Sequence, residues 1–144
     1  MLYRPIRLVI KDQKVLTCAA KTTVIEAACL MEQNQIGAVM VVEDDRLVGI
    51  FTERDALFRV IAKGRDAQST QLTEVMTRNP QTIHPDKPYG DAIHLMYEGR
   101  FQHLPVVENG QPIGMVSARD VLGPELEDFV YELLRRGQVE QVLA

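Results

Sequence analysis

Gly49-Ile50-Phe51-Thr52-Glu53-Arg54-Asp55 returns as Gly114-Met115-Val116-Ser117-Ala118-Arg119-Asp120, displaced by 65 residues. Each copy reads glycine, two apolar residues, a hydroxyl residue, a spacer, arginine and aspartate. The same offset carries Thr17 onto Thr82, Ala27 onto Ala92, Leu30-Met31 onto Leu95-Met96, Val41-Val42-Glu43 onto Val106-Val107-Glu108 and Leu57 onto Leu122. A register held without a gap over forty residues is an internal repeat, and a repeat decides the architecture before any single element does.

Working outward, each copy supplies the same series of elements. Val15 to Cys18 and Gln81 to His84 are short strand candidates between turn-forming residues. A helix follows each. Thr23 and Glu26 stand at capping-box spacing, and Val24, Ala27, Ala28 and Met31 recur on one helical face. In the second copy Pro88 suits a first helical position, and Tyr89, Ala92, Ile93 and Met96 repeat that face. Met31 and Met96 are read as core packing. Ala38 to Val42 and Leu47 to Phe51 then form a hairpin, as do Leu104 to Val107 and Pro112 to Val116, the latter around the turn dipeptide Asn109-Gly110. A helix comes after each motif, with Ala56, Leu57, Val60 and Ile61 as its apolar face and Gly64 as its C-cap in the first copy. In the second, Gly123-Pro124 cuts that helix short, and a new one is expected from Pro124 to Arg136, with Leu126, Phe129 and Val130 apolar.

Each unit therefore reads strand, helix, strand, strand, helix: two pseudo-symmetric β-α-β-β-α units of α+β type, packed through their sheets. A lone copy of this size would leave the apolar face of its sheet uncovered, so pairing around a pseudo-twofold axis is the expected solution. The first unit, with an N-terminal cap, is assigned to residues 1–68 and the second, with a C-terminal helix, to residues 69–144. Residues 6–10 fit either a short strand or a helical turn. Lys63 to Gln71 is polar and reads as a linker.

Bulk properties bound the function. A chain of 144 residues with 46% apolar residues is ordinary for a globular protein. It has no apolar run near the ~18 residues of a membrane span. Its first residues, Met1-Leu2-Tyr3-Arg4-Pro5, lack the layout of a signal peptide, so a cytoplasmic location is expected. A net charge of −4 and the lack of a basic stripe or stacking motif argue against nucleic acid. Cys18 and Cys29, with three histidines, form no zinc-ligand pattern, and both cysteines are read as small buried hydrophobes. No nucleophile, base and orienting group fall together, and there is no Gly-x-x-x-x-Gly-Lys loop. Cys18 with His84 is the one pair worth naming. An enzyme is not expected.

The residues that carry chemistry sit in the repeated motif. A hydroxyl residue where a strand turns into a helix offers an anion site, and a nearby arginine can add a charge-assisted phosphate contact. An aspartate can accept from two vicinal ribose hydroxyls. Thr52-x-x-Asp55 and Ser117-x-x-Asp120 equally satisfy the helix-capping pattern, so capping and ligand contact are both open.

With both motifs in register, Val75-Met76-Thr77, Asn79-Pro80 and Arg100-Phe101-Gln102-His103-Leu104-Pro105-Val106-Val107, the chain resembles a tandem pair of cystathionine-β-synthase (CBS) domains, a Bateman module, over residues 15–62 and 75–122. The resemblance implies a non-catalytic sensor that binds adenine ligands between the halves: AMP, ADP or ATP, NAD-type dinucleotides or S-adenosylmethionine. It implies phosphate contacts from Thr52 and Ser117, with Arg54 and Arg119 beside them, and ribose contacts from Asp55 and Asp120. Backbone at Thr17 to Ala19, Ile36-Gly37-Ala38, Thr82 to His84 and Phe101 to His103, with Pro105, would line the adenine pockets. Gln102 stands where relatives often carry arginine, which removes one basic contact. The resemblance further implies a homodimer that signals energy or redox state to a protein partner. The alternative is a structural dimerisation module whose clefts no longer bind nucleotide.

Overall fold

The computed structural model describes residues 2–120, 131–132 and 134–137. Its elements run α1 (Ile6–Ile10), β1 (Thr17–Ala19), α2 (Val24–Asn34), β2 (Ala38–Glu43), β3 (Arg46–Thr52), α3 (Glu53–Asp55) leading straight into a π-helix (Ala56–Ile61), α4 (Leu72–Val75), β4 (Thr77–Arg78), α5 (Tyr89–Gly99), β5 (His103–Glu108) and β6 (Gln111–Ser117). The 65-residue offset carries α2 onto α5, β2 onto β5 and β3 onto β6 at both ends of each element. The fold is the expected pair of pseudo-symmetric units. The helix expected from Pro124 to Arg136 lies largely outside the described residues.

Local chemistry sets these boundaries. At the start of α2 the Glu26 amide donates to Thr23 Oγ1 (3.3 Å) and the Thr23 amide to Glu26 Oε2 (3.2 Å), the reciprocal pair expected from their spacing. Pro88 caps α5 one residue earlier than expected, and Tyr89 begins the helix. Val24, Ala27 and Met31 on α2, and Tyr89, Ala92 and Met96 on α5, are buried. Both helices end on a left-handed residue that is not glycine, Gln35 (φ 51°) and Arg100 (φ 56°). Two-residue turns join the hairpins, Asp44-Asp45 and Asn109-Gly110, all four residues with positive φ, which matches the twist of the flanking strands.

The first sheet has the order β1-β2-β3-β4, with β1 parallel to β2 and the other pairs antiparallel. The second is the β5-β6 hairpin, and the strand expected at Gln81 to His84 shrinks to one parallel bridge from Ile83 to Val106. Pro80 and Pro85 flank that stretch and offer no amide to a ladder. The Asp86 amide bonds back to His84 Nδ1 (3.1 Å) and turns the chain away.

Two further expectations are corrected. The segment after the first motif is a π-helix over Ala56–Ile61, and of its expected apolar face Val60 is buried while Leu57 is 50% and Ile61 69% exposed. Cys18 is buried, but Cys29 is exposed on α2. The polar stretch Lys63 to Gln71 is docked: carbonyls of Thr70 and Ala67 accept from Val24 (2.9 Å) and Ile25 (3.0 Å), the free amides of the first turn of α2.

The lead-in segments are exchanged between units. Ile6 and Ile10 of α1 are buried in one core with Ile83, Tyr89, Ala92, Met96, Leu104, Val106 and Val116, all from the second half. Leu72, Val75 and Met76, at and just after α4, are buried in the other with Val24, Met31, Val39, Val41, Phe51 and Val60, all from the first. The repeated glycines explain how these segments dock. A Cβ on Gly49 would come within 2.5 Å of Met76 Sδ, and one on Gly114 within 2.7 Å of Ile10 Cδ1. Each glycine leaves the space that the incoming cap fills. Thr77 and Arg78 then pair with Ile50 and Gly49 through backbone. At the position matching Arg78, Gln13 makes the equivalent contact with its side-chain amide, donating to the Met115 carbonyl (2.8 Å) and accepting from its amide (3.0 Å).

Strand β2 is buried on both sides. Val39 and Val41 belong to the first core, while Ala38 and Met40, pointing the opposite way, are buried outside both cores. There the sheets meet: β3 contacts β6, and the Leu47 amide donates to the Gly110 carbonyl (3.2 Å).

Candidate ligand clefts

Two clefts flank this junction. The first, about 830 Å³, ends at Ser117, Arg119 and Asp120 and is walled by Val15, Leu16 and the α2–β2 turn. The second, about 1060 Å³, ends at Thr52, Arg54 and Asp55 and is walled by Pro80, Gln81 and the α5–β5 turn. Under the 65-residue offset Val15-Leu16 becomes Pro80-Gln81 and Ile36-Gly37-Ala38 becomes Phe101-Gln102-His103. The clefts are images of one another. Each is built from the motif of one unit and the helix–strand turn of the other, so neither unit forms a cleft alone. Their volumes suit a nucleotide-sized ligand.

The structure brings Ile36, Gly37, Ala38, Ser117, Arg119 and Asp120 to the first cleft, Thr52, Arg54, Asp55 and Phe101 to the second, and His103 to both. Thr17, Ala19, Thr82, His84 and Pro105 line neither. Thr17 and Ala19 belong to β1, paired with β2, and the chain meets the cleft just upstream, at Val15 and Leu16. Pro105 is fully buried within β5.

The motif carboxylates differ in setting. Asp55 is 7% exposed; its Oδ2 accepts from the Thr52 amide (3.0 Å) and hydroxyl (3.1 Å), and its amide donates to Thr52 Oγ1 (3.2 Å). Arg59 Nε lies 3.4 Å from Asp55 Oδ1, while its Nη1 donates to the carbonyls of Val75 (3.3 Å) and Met76 (3.1 Å). Asp120 makes the same cap more loosely: the Ser117 amide donates to Oδ2 (3.3 Å) and the Asp120 amide to Ser117 Oγ (3.2 Å). Asp120 is exposed, with no ion pair among the described residues. Capping is thus present at both motifs, and at Asp120 it uses Oδ2 alone among the described residues. Arg54 stacks on the Phe58 ring, 5.4 Å from its centroid, which holds the guanidinium at the cleft rim.

Several lining residues were not singled out by the sequence reading. Gln102, within the expected Phe101 to His103 stretch, lines both clefts, and so does Glu53, the spacer of the first motif, which no expectation covered. The Glu53 amide donates to the Gly37 carbonyl (2.9 Å), which fixes it beside the α2–β2 turn. Gln35 lines the first cleft, and Arg100 and Asn79 the second, all three with left-handed backbone. The offset that pairs Gln35 with Arg100 was the available signal. Burial pushes the His103 imidazole below its ordinary pKa, and nearby Glu53 and Asp120 offset only part of that shift.

Outside the clefts, His84, Asp86 and Glu108 are the one group among the described residues with three metal-type ligand atoms close together. Arg7 already serves these carboxylates, donating from Nε to Asp86 Oδ1 (3.0 Å) and from Nη2 to Glu108 Oε2. The guanidinium holds both carboxyls below their usual range and is itself pushed up. The cluster is an ion-pair clamp on α1, already provided with its cation.

Comparison with known proteins matches the geometry. The model of the CBS domain family matches residues 9–62 and 72–124. The chain is 36% identical over 129 residues to "CBS domain-containing protein CBSX3, mitochondrial" of Arabidopsis thaliana, covering 86% of this chain and 63% of that protein. It is 40% identical over 97 residues to CBSCBSPB1 of the same plant, 67% of this chain but 18% of that protein, so it spans only part of the length of these relatives. Among solved structures, an uncharacterized conserved protein from Pyrococcus horikoshii superposes with a TM-score of 0.78 at 32% identity, over 87% of this chain and 94% of that one.

Proposed function

The chain belongs to the CBS-domain family, a non-catalytic regulatory fold, and from that premise we propose that it senses adenine nucleotides of the AMP, ADP/ATP or NAD type in its two clefts. Membership itself carries the broader statement that the chain is a regulatory, ligand-sensing module and not an enzyme. The nucleotide reading is carried by one observation: two equivalent nucleotide-sized clefts, each closed by a hydroxyl, an arginine and an aspartate.

In this reading Thr52 and Ser117, with Arg54 and Arg119, hold phosphate, and Asp55 and Asp120 accept from ribose hydroxyls. Asp120 can do so directly. Asp55 must share an oxygen with Arg59, so its ribose contact competes with an existing ion pair. Because each cleft takes walls from both units, a ligand that prefers one arrangement of the units shifts the population toward it, and a protein partner reads the shift. Calorimetric titration of nucleotide-stripped protein with AMP, ATP, NAD and S-adenosylmethionine tests this, beside the Asp55→Ala/Asp120→Ala double variant. Saturable binding that the variant loses is expected; equal affinity in both removes the ribose assignment.

A second reading has its own observation. Leu57, Phe58 and Ile61 on the π-helix are 50%, 50% and 69% exposed, an apolar strip beside the second cleft. It favours self-association, as a homodimer that serves as an interaction module with or without nucleotide. Sedimentation of the wild type against Ile61→Glu tests the strip: a dimer that the variant loses is expected, and a monomeric wild type removes this reading. No helix among the described residues is long and apolar enough to cross a membrane. A cytoplasmic location belongs to the same proposal.

A further inference from the structure

The two clefts match in backbone but not in charge. Among the described residues lining the Thr52 cleft, Arg54, Arg59 and Arg100 stand against Glu53 and Asp55, a balance of +1. Among the described residues lining the Ser117 cleft, Lys14 and Arg119 stand against Glu32, Glu53 and Asp120, a balance of −1. The repeat register shows where the difference was written. Arg100 corresponds to Gln35, Arg59 to Pro124, and Glu32 to Tyr97, which does not line the Thr52 cleft. Lys14, opposite Asn79, compensates only in part.

The arrangement of these charges reinforces the count. Arg59 sits 3.4 Å from Asp55 and answers its charge in place, while Asp120 is exposed and has no ion pair among the described residues. Phe58 carries the guanidinium of Arg54 at the rim, whereas the residue opposite Phe58 in the repeat is Gly123, which offers Arg119 no ring. His103 and Glu53 line both clefts and cannot distinguish them. The imidazole, held below its ordinary pKa, adds no charge near neutral pH.

We propose that the clefts sort adenine ligands by charge: the Thr52 cleft takes the di- or triphosphate or a dinucleotide pyrophosphate, and the Ser117 cleft takes an adenosyl ligand with at most one phosphate. This rests on the nucleotide reading above and adds the ligand class of each cleft. Partly solvated charges at cleft distances act through a high effective dielectric, so each added phosphate charge changes affinity by roughly two- to fivefold, upward in one cleft and downward in the other.

The test titrates the 144-residue chain with adenosine, AMP, ADP and ATP in magnesium-free buffer at low and high salt. Asp120→Asn leaves the Thr52 cleft to be read, and Asp55→Asn leaves the Ser117 cleft. In Asp120→Asn, affinity is expected to climb with each phosphate and to lose that gain at high salt; in Asp55→Asn it is expected to fall. Asp55 is buried, so an exposed position supplies a second route. Arg54→Glu in the Asp120→Asn chain takes the Thr52 cleft from +1 to −1 and is expected to reverse its phosphate preference while adenosine still binds. The same ranking in both clefts, or an Arg54→Glu chain that still prefers ATP, overturns the sorting and leaves nucleotide binding standing. No binding of any ligand to folded wild type overturns the nucleotide reading and the sorting with it.

Discussion

Asp55 and Asp120 hold the same place in the repeated motif, but burial gives them different work. Asp55 caps its helix from a buried site with three hydrogen bonds to Thr52 and an ion pair to Arg59, whereas Asp120 caps from an exposed one. Asp55→Ala should therefore cost about 1–2 kcal/mol of stability, and Asp120→Ala about half that or less, each read from the urea midpoint at constant slope. Equal losses would mean that the Asp55 network contributes nothing beyond a surface cap. His103 gives a second residue-scale expectation. Its folded pKa lies below the ordinary value near 6.5, so above that pH the ring is neutral in both states and stability is at its full value. As pH falls from about 6.5 toward the depressed value, the unfolded chain takes up a proton that the folded chain refuses, and stability declines. Asp86 and Glu108, lowered by Arg7, contribute in a separate window: their stabilisation is complete above about pH 4.5 and is lost as pH falls through their depressed values. Urea midpoints at pH 7.5 and 5.5 should differ in the wild type and much less in His103→Gln; an unchanged difference would assign it to another group. The motif residues were legible because they repeat. What His103 and Glu53 do was not, since lining two clefts at once is a property of the assembled pair and leaves no mark on local sequence.

At the scale of elements, the two motif glycines test how the caps dock. A methyl on Gly49 meets Met76 Sδ, near the end of an unbranched side chain that can swing aside. A methyl on Gly114 meets Ile10 at both Cδ1 (2.7 Å) and Cβ (3.0 Å), and a β-branched residue fixed on a short helix has little freedom to yield. Gly114→Ala should cost about 1–3 kcal/mol by overpacking and speed hydrogen exchange in α1; Gly49→Ala should cost less. Matching losses at the two sites would contradict the contrast between a flexible and a stiff neighbour. The long elements, α2, α5 and both hairpins, were readable because eleven-residue helices carry their own period and the strands are short apolar runs joined by turn residues. Three things were hidden. The strand at Thr82 is cut to a single bridge by prolines that the sequence displayed but whose sum it did not decide. The π-helix differs from an α-helix by one residue in hydrogen-bond spacing, i→i+5 against i→i+4, which six residues cannot express as a period. Helix α1 has five residues, so its two isoleucines announce a buried face without saying which core receives it.

For the whole molecule, that exchange makes the two units one folding system. A chain cut between residues 68 and 69 gives a first fragment that keeps α1 but lacks Leu72, Val75 and Met76 of its own core. The second fragment lacks Ile6 and Ile10, both buried in its core, where each contributes about 1.5–3 kcal/mol of apolar burial. The second also loses the Arg7 clamp and the backbone bonds from Ile6 to the Lys87 carbonyl (3.0 Å) and from Arg7 to that of Pro85 (2.8 Å). Losses of this size consume most of the net stability of a unit of about 70 residues, which is small to begin with. Neither fragment should fold alone, and an equimolar mixture should regain native circular dichroism, because each supplies the cap that the other needs. The intact chain should unfold in one transition by far-ultraviolet circular dichroism and by hydrogen exchange in both cores, with coincident midpoints. A fragment that folds cooperatively by itself, or two separated transitions in the intact chain, would show that the exchanged caps are ornaments on independent domains. One transition would tie the clefts together as well: with walls from both units and caps crossing between them, a ligand that orders one cleft stabilises the scaffold of the other, which is the physical route by which a small molecule could reset the whole pair.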